Sequence, residues 1–100
     1  MDVQQQVTIL KALADPNRLA IIQHLTEGEA CVCELLQLFS VTQPTLSHHM
    51  RILSDADLVK GRREGKWIHY SINEELLQAF KTFVASISVA SNPKKGYACR

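Results

Sequence analysis

Apolar residues recur every three or four positions in five segments of this chain, the spacing of one buried helix face. The first segment starts near Val3 and stops before Asp15-Pro16, a pair typical of an N-cap followed by the first residue of a helix. Further segments begin at Ala30, Thr42 and Asn73, and Asn73 is predicted to cap the last helix. The apolar positions that define the first, second and last helices are Val3, Val7, Leu10 and Leu13, then Leu19, Ile22 and Leu25, then Leu76, Leu77, Phe80, Phe83, Val84 and Ile87.

Between the fourth and the last of these segments the period changes to two. The runs Leu58–Arg63 and Lys66–Ile72 flank Glu64-Gly65, which predicts a β-hairpin with a basic tip. The third and fourth helices, joined by a tight turn, have the arrangement of a helix-turn-helix. We therefore expect a mainly α winged helix-turn-helix domain, ordered α-α-α-α-β-β-α over residues 1–90, and a flexible tail over residues 91–100.

The fourth helix has the pattern of a helix that is presented to DNA. Thr42 is a good N-cap, Gln43-Pro44 places proline in the first turn, and one stripe is apolar through Leu46, Met50 and Leu53. Side chains on the other faces can donate to phosphates or base edges. These candidate DNA-binding residues are Gln43, Thr45, Ser47, His48 and Arg51.

Two adjacent histidines in this helix need separate roles. His48 and His49 point about 100° apart on a helix, so they are poorly placed to chelate one ion. We expect one of them to contact DNA and the other to fix the helix against its neighbours. The sequence leaves open which histidine does which.

Composition limits the class of protein. A chain of 100 residues is one domain, and 46% apolar residues exclude a disordered one. It has no run long enough to span a membrane and no secretory signal pattern, so we expect a cytoplasmic protein without a membrane partner. Three cysteines, an odd number, then favour reduced thiols over a disulfide scaffold.

The net charge of +1 hides an uneven distribution. Four basic residues and one acid lie between Leu58 and Tyr70, so the hairpin presents a basic surface on a nearly neutral molecule. Its turn would contact phosphate or the minor groove and contribute affinity more than specificity. The candidate residues are Arg62, Arg63 and Lys66.

The first and last helices carry more apolar residues than a small core requires. Core packing alone is the alternative explanation for these residues, but we expect these helices to pair with a second copy across a two-fold axis. Two recognition helices about 34 Å apart could then enter successive major grooves of a palindromic DNA duplex.

Four motifs in order resemble the signatures of ArsR/SmtB metalloregulatory repressors. They are Ala12–Leu19, Ala30–Leu35, Gln43–Met50 and Gly65–Tyr70, and the resemblance runs from about Val7 to Phe83. It implies a homodimeric winged-helix repressor that holds its operator DNA when free of metal and releases it when metal binds.

Within that family, Cys31 and Cys33 resemble the thiol site of arsenite- and antimonite-responsive members. Soft thiolates suit As(III) or Sb(III) as inducer, with no organic cofactor. If both cysteines were helical, their side chains would point about 200° apart, so binding one ion would unwind the first turn. The third cysteine of the fullest site is replaced by Leu36, so the third ligand would be a non-protein group or Cys99 from the tail.

The residues that two other kinds of metal site require are missing from this sequence. The cadmium- and lead-type site adds cysteines near the N-terminus, and residues 1–10 have none; the zinc-type site needs histidine and carboxylate ligands, and residues 74–91 contain no His or Asp. Cadmium as a cross-reacting ion stays open because a thiol pair is soft. A repressor that senses thiol oxidation also stays open. A thiol-redox enzyme is disfavoured because the chain lacks the Cys-x-x-Cys spacing and a βαβ unit, so we expect no enzymatic activity.

Overall fold

The computed structural model describes residues 1–92 and Gly96. Within that part of the chain, no helix is long and apolar enough to cross a membrane. Cys99 and most of the predicted tail lie outside the described residues. The elements are α1 (Val3–Leu13), α2 (Pro16–Leu25), β1 (Ala30–Cys31), α3 (Val32–Phe39), α4 (Gln43–Asp55), β2 (Val59–Glu64), β3 (Trp67–Ile72) and α5 (Glu74–Ser86).

The helices begin where their capping residues place them. Asp15, Thr42 and Asn73 have extended backbone conformations, and the side chain of each accepts a hydrogen bond from a backbone N–H in the first turn that follows. The three predicted N-caps are therefore confirmed. A fourth cap, Asp2, forms a reciprocal capping box with Gln5 at the start of α1.

The sheet contains one strand more than the predicted hairpin. β2 and β3 pair antiparallel across a two-residue turn in which Gly65 has φ 62°, and β1 pairs with the outer side of β3, so the strand order is β1-β3-β2. Ala30 and Cys31, predicted to begin the third helix, form β1 opposite Tyr70 and His69. That prediction was wrong because these two residues find backbone partners in β3, some 40 positions later in the chain.

The core lies between α1, α2, α4 and the base of the sheet. Leu35, Leu53 and Leu58 are completely buried. The predicted winged helix-turn-helix order is confirmed, with β1 as an addition. The buried apolar residues are Ile9, Ala12, Ile21, Ile22, Leu25, Ala30, Leu35, Leu46, Met50, Leu53, Ala56, Leu58, Val59 and Phe80.

Some residues of the predicted apolar stripes face outward. Ile9 and Ala12 of α1 are buried in the core, whereas Val3 and Leu10 of the same helix are 72% and 46% exposed. Leu19 of α2, expected to face inward, is 45% exposed. A helix with two apolar faces buries only one of them in a single copy of the chain, and periodicity does not say which one.

Candidate DNA-binding surface and thiol site

The outer surface of α4 carries all five side chains proposed to contact DNA. Gln43, Thr45, Ser47, His48 and Arg51 are exposed. The opposite face is buried through Leu46, Met50 and Leu53, none of them more than 1% exposed. The Thr42 hydroxyl donates to Thr45 Oγ1 at 2.9 Å, which leaves the Thr45 hydroxyl proton free for a further acceptor. The helix therefore presents a polar surface on a firmly packed base.

The two histidines of α4 lie on different sides of the helix. His48 is exposed, whereas His49 is 8% exposed and belongs to the buried face. Arg18 of α2 approaches His49, with Nη1 3.2 Å from Nδ1, and its Nε donates to the carbonyl oxygen of Ala12 at 2.6 Å. The sequence patterns gave no sign of this contact.

The basic residues of the wing are not equivalent. Arg62 binds Glu29 and Glu64, with one nitrogen-to-oxygen distance of 2.6 Å to each carboxylate. These contacts raise the pKa of Arg62 and hold the pKa values of Glu29 and Glu64 below their ordinary range. Arg63 and Lys66 are exposed and form no ion pair within the described part of the chain. Arg62 would have to exchange two carboxylates for a phosphate in order to contact DNA.

The two cysteines are already in contact. Cys31 has extended backbone angles and is the N-cap of α3, and its sulfur accepts a hydrogen bond from the backbone N–H of Cys33. The Cys33 Sγ lies 2.7 Å from the Cys31 Sγ, and both thiols are free. The expectation that one ion could reach both sulfurs only by unwinding the helix was wrong. Its premise fails because Cys31 precedes the helix and is not part of its first turn.

The contact changes the acidity of one thiol. The hydrogen bond between Cys33 and Cys31, followed by partial burial, raises the pKa of the Cys33 thiol above its ordinary value. Loss of the Cys33 proton would remove that hydrogen bond and place a negative charge beside the Cys31 sulfur. A ligand that takes both sulfurs must therefore also remove this proton.

Two further histidines lie beside the thiol site, and the sequence gave no useful signal for either. His69 is opposite Cys31 in β3 and opposite Arg62 on its other side, so the three residues form one row across the sheet. His24 of α2 is hydrogen-bonded through Nε2 to Glu34, the residue after Cys33. The segment that carries the two cysteines thus contacts the wing through Cys31 and contacts α2 through Glu34.

The donor set fits a soft ligand that needs two protein sulfurs. Among the described residues, no group of three or more His, Cys, Asp or Glu side chains converges on one point. Leu36, which stands where a third cysteine would be, is half-buried against the core. Two adjacent thiols without oxygen ligands suit a thiophilic centre such as As(III), whereas a hard cation would need carboxylates. The sequence proposal that Cys99 supplies a third sulfur falls outside the described residues.

Comparison with known proteins identifies the family. The model for bacterial regulatory proteins of the arsR family matches residues 15–60, which span α2, β1, α3, α4 and the start of β2. An arsenical resistance operon repressor of Staphylococcus xylosus is 40% identical over 100 residues, which cover this whole chain and 93% of that protein. The chain belongs to the ArsR family.

Two other similarities bear on specificity and assembly. A cadmium resistance regulator homologue of Staphylococcus aureus is 37% identical over 94 residues, covering 91% of this chain and 75% of that protein. A homodimeric winged helix-turn-helix domain from Mycobacterium bovis, a possible ArsR-family regulator, superimposes with a TM-score of 0.72 at 29% identity, covering 84% of this chain and 79% of that one. These relatives are transcriptional regulators and not enzymes, and they include a homodimer.

Proposed function

We propose that this ArsR-family protein is a homodimeric repressor that binds operator DNA and releases it when As(III) or Sb(III) is captured by Cys31 and Cys33. The observation that carries the proposal is the sulfur pair in contact at the N-terminus of α3, the helix that leads directly into α4. The arsenical resistance repressor of Staphylococcus xylosus supports the choice of metalloid.

The DNA side of the proposal rests on α4 and the tip of the wing. α4 offers an exposed polar face, and its width suits the major groove. At the tip, Arg63 lies next to the turn and Lys66 lies within it, where both would meet the phosphate backbone or the minor groove. Arg62 contributes to DNA binding only after it leaves Glu29 and Glu64.

The dimer would form through α1 and α5. Val3 and Ile87 are 72% and 70% exposed, and Leu10 and Val84 also face outward. An open groove runs between these helices, lined in part by Gln6, Ala79 and Phe83. Burial of this apolar surface against a second copy would stabilise a chain whose own core is small.

The chemistry at the sulfurs needs no co-reactant. Arsenous acid is neutral in neutral solution, and each thiol proton would combine with one of its hydroxyl groups and leave as water while the sulfur takes that position on arsenic. Two thiols would fill two of the three positions. The third would keep a hydroxyl group or be taken by the Cys99 thiol.

The structure suggests how the two sites are coupled. Cys31 is paired with His69 of β3, and Cys33 lies in the first turn of α3, so a ligand on both sulfurs would act on the wing and on the helix-turn-helix together. A ligand shifts the DNA-binding equilibrium only by the difference in its affinity for the two states. The DNA-bound form must therefore disfavour the ligand-bound arrangement of the sulfurs.

The test is a titration of the reduced protein, bound to fluorescent DNA from upstream of its own gene, with arsenite. We expect release at near-stoichiometric arsenite for the natural chain and none for the Cys31→Ser, Cys33→Ser variant. Cys99→Ser is the matched control, since it makes the same change outside the described residues. Release that persists in the double variant would refute the proposed sensor, whereas a lost response in Cys99→Ser would identify a third sulfur ligand.

Cadmium distinguishes a metalloid sensor from a soft-cation sensor. Cd(II) displaces the thiol protons into solution, so its apparent affinity should rise with pH until both thiols are ionised, and the raised pKa of Cys33 extends that range upward. Arsenous acid takes the same protons away as water, so its affinity should change little with pH. Titrating both ligands at several pH values measures the difference directly.

The sulfur contact also supports a second candidate function, the sensing of oxidation. Two adjacent thiols can lose two protons and two electrons to a peroxide, which is reduced to water while the sulfurs bond. Release of DNA by peroxide but not by arsenite would favour this function and would leave the DNA-binding proposal unchanged.

A further inference from the structure

His49 is the one buried polar or charged side chain among the described residues. It lies on the inner face of α4 beside apolar neighbours, where an unpaired imidazole would be costly. Its ring is met by Arg18 from α2, with Nη1 3.2 Å from Nδ1. Asp15 Oδ2 is 4.0 Å from the same nitrogen, beyond hydrogen-bonding distance.

The contact with Arg18 determines which nitrogen of the His49 ring carries the proton. A guanidinium group has donors and no acceptor, so Nδ1 of His49 must accept the hydrogen bond and the ring proton must be on Nε2. A ring protonated on both nitrogens would direct a donor at a donor. The contact therefore requires a neutral histidine in one orientation.

The same guanidinium holds the end of α1. Arg18 Nε donates to the carbonyl oxygen of Ala12 at 2.6 Å, and Nη2 lies 3.5 Å from that of Lys11. These carbonyls belong to the last turn of α1, where helical partners run out. The backbone N–H of Arg18 donates to Asp15, which fixes the first turn of α2 beneath the contact. One planar side chain thus joins three helices.

We propose that Arg18 and His49 form a positioning pair that fixes the recognition helix relative to α1, and thereby sets the spacing of DNA half-sites that the dimer accepts. This inference rests on the proposed function, in which α1 contributes to the dimer interface and α4 reads DNA. If α1 is fixed to the two-fold axis, its angle to α4 determines how far apart the two recognition helices lie. A rigid connection selects one spacing, and a loosened connection tolerates several.

The experiment compares DNA duplexes that carry the natural operator or the same half-sites moved one base pair closer or further apart. The ratio of dissociation constants between altered and natural spacing is measured for the natural protein and for Arg18→Met, which keeps the apolar stem and removes the donors. We expect that ratio to fall about fivefold or more in the variant. Lys11→Met is the matched control, because it removes an exposed side-chain cation from α1 and keeps the backbone carbonyl that Arg18 approaches, and its ratio should stay unchanged.

Two substitutions at His49 keep the inference testable if Arg18→Met fails to fold. In His49→Asn the side-chain oxygen can occupy the position of Nδ1 and accept from Arg18, whereas His49→Leu fills a similar volume without an acceptor. We expect the His49→Asn variant to keep the preference for the natural half-site spacing and the His49→Leu variant to lose it. Dimer mass and thermal unfolding are measured for both variants to show that they are folded dimers.

The outcomes separate the two proposals. If the natural protein does not bind DNA as a dimer, the proposed function fails. If it does, but Asn and Leu at position 49 have the same spacing ratio, or Arg18→Met weakens binding to every duplex equally, then the pair has only a structural role and the inference is overturned.

Discussion

The recognition helix and the wing carry similar basic side chains, but the fold holds them differently. Arg51 on α4 is exposed and has no ion pair in the described part of the chain. Arg62 on β2 is bound on two sides by carboxylates. On a helix surface, the neighbours of a residue are the residues three and four positions away in the sequence. In a sheet, the neighbours lie on adjacent strands, which can be distant in the sequence. Exposure and charge alone therefore do not make an arginine available to DNA.

The largest difference between α4 and the wing should appear in how much a substitution lowers the free energy of unfolding. Leu53 of α4 is completely buried, so Leu53→Ala should lower the free energy of unfolding by about 3 kcal/mol. Trp67 at the wing is 41% exposed, and Trp67→Ala should cost less than about 1 kcal/mol. Urea unfolding followed by circular dichroism measures both. Leu38→Ala, the same substitution at a position 55% exposed, is the control, and a loss at Leu38 equal to that at Leu53 would contradict the burial argument.

The next difference concerns DNA affinity. Arg51→Gln should weaken operator binding by about tenfold or more, because an unpaired arginine on the reading face can make a bidentate contact with a base or a phosphate. Arg62→Gln should weaken it by less than about threefold, because the charge of Arg62 is already balanced by Glu29 and Glu64. Fluorescence anisotropy at fixed salt measures both dissociation constants. Equal losses would show that Arg62 leaves its carboxylates in the complex.

The smallest effect should come from removing one of those carboxylates. Glu29→Gln frees one side of Arg62 and should strengthen DNA binding by up to about threefold, with a steeper dependence on salt. Glu27→Gln removes the same charge two residues earlier, at a position that does not contact Arg62, and should leave affinity unchanged. Weaker binding in Glu29→Gln would mean that the ion pair supports the shape of the wing.

The same pair gives a pH dependence whose sign is fixed by Glu29. Arg62 holds the pKa of Glu29 below its ordinary value of 4.5, so the folded state binds the proton less readily than the unfolded state. Its contribution to stability is fully present above that ordinary value and is lost as the pH falls through the lowered pKa. Acid unfolding of Glu29→Gln should accordingly lack this component.

Prediction from sequence was most accurate where structure depends on near neighbours. The caps at Asp15, Thr42 and Asn73, and the buried stripe of α4, follow from hydrogen bonds and packing within one or two turns. The pairing of Cys31 with His69 could not be read in the same way, because no local pattern marks a two-residue strand whose partner is distant. The assignment of both cysteines to a helix failed for this reason.

The candidate site shows the same division between features set by near neighbours and features set by residues distant in the sequence. The resemblance to the ArsR family identified Cys31 and Cys33, but their sulfur contact depends on where α3 begins. His24 and His69 gave no signal because each acquires its neighbours only through tertiary contacts. Arg18 gave no signal either, because it reaches Ala12 and His49 only when α1 and α4 pack against α2.

The sequence by itself predicted the five helices and the hairpin that the described residues form, the helix whose polar side chains are candidates for DNA contact, and the two thiols that are candidates for a soft ligand. Only the tertiary structure decided that the thiols touch, that Arg62 is engaged, and that His49 is tied to Arg18. The reason is physical: periodicity and capping act over a few residues, whereas pairing between strands and buried polar contacts join residues far apart in the chain.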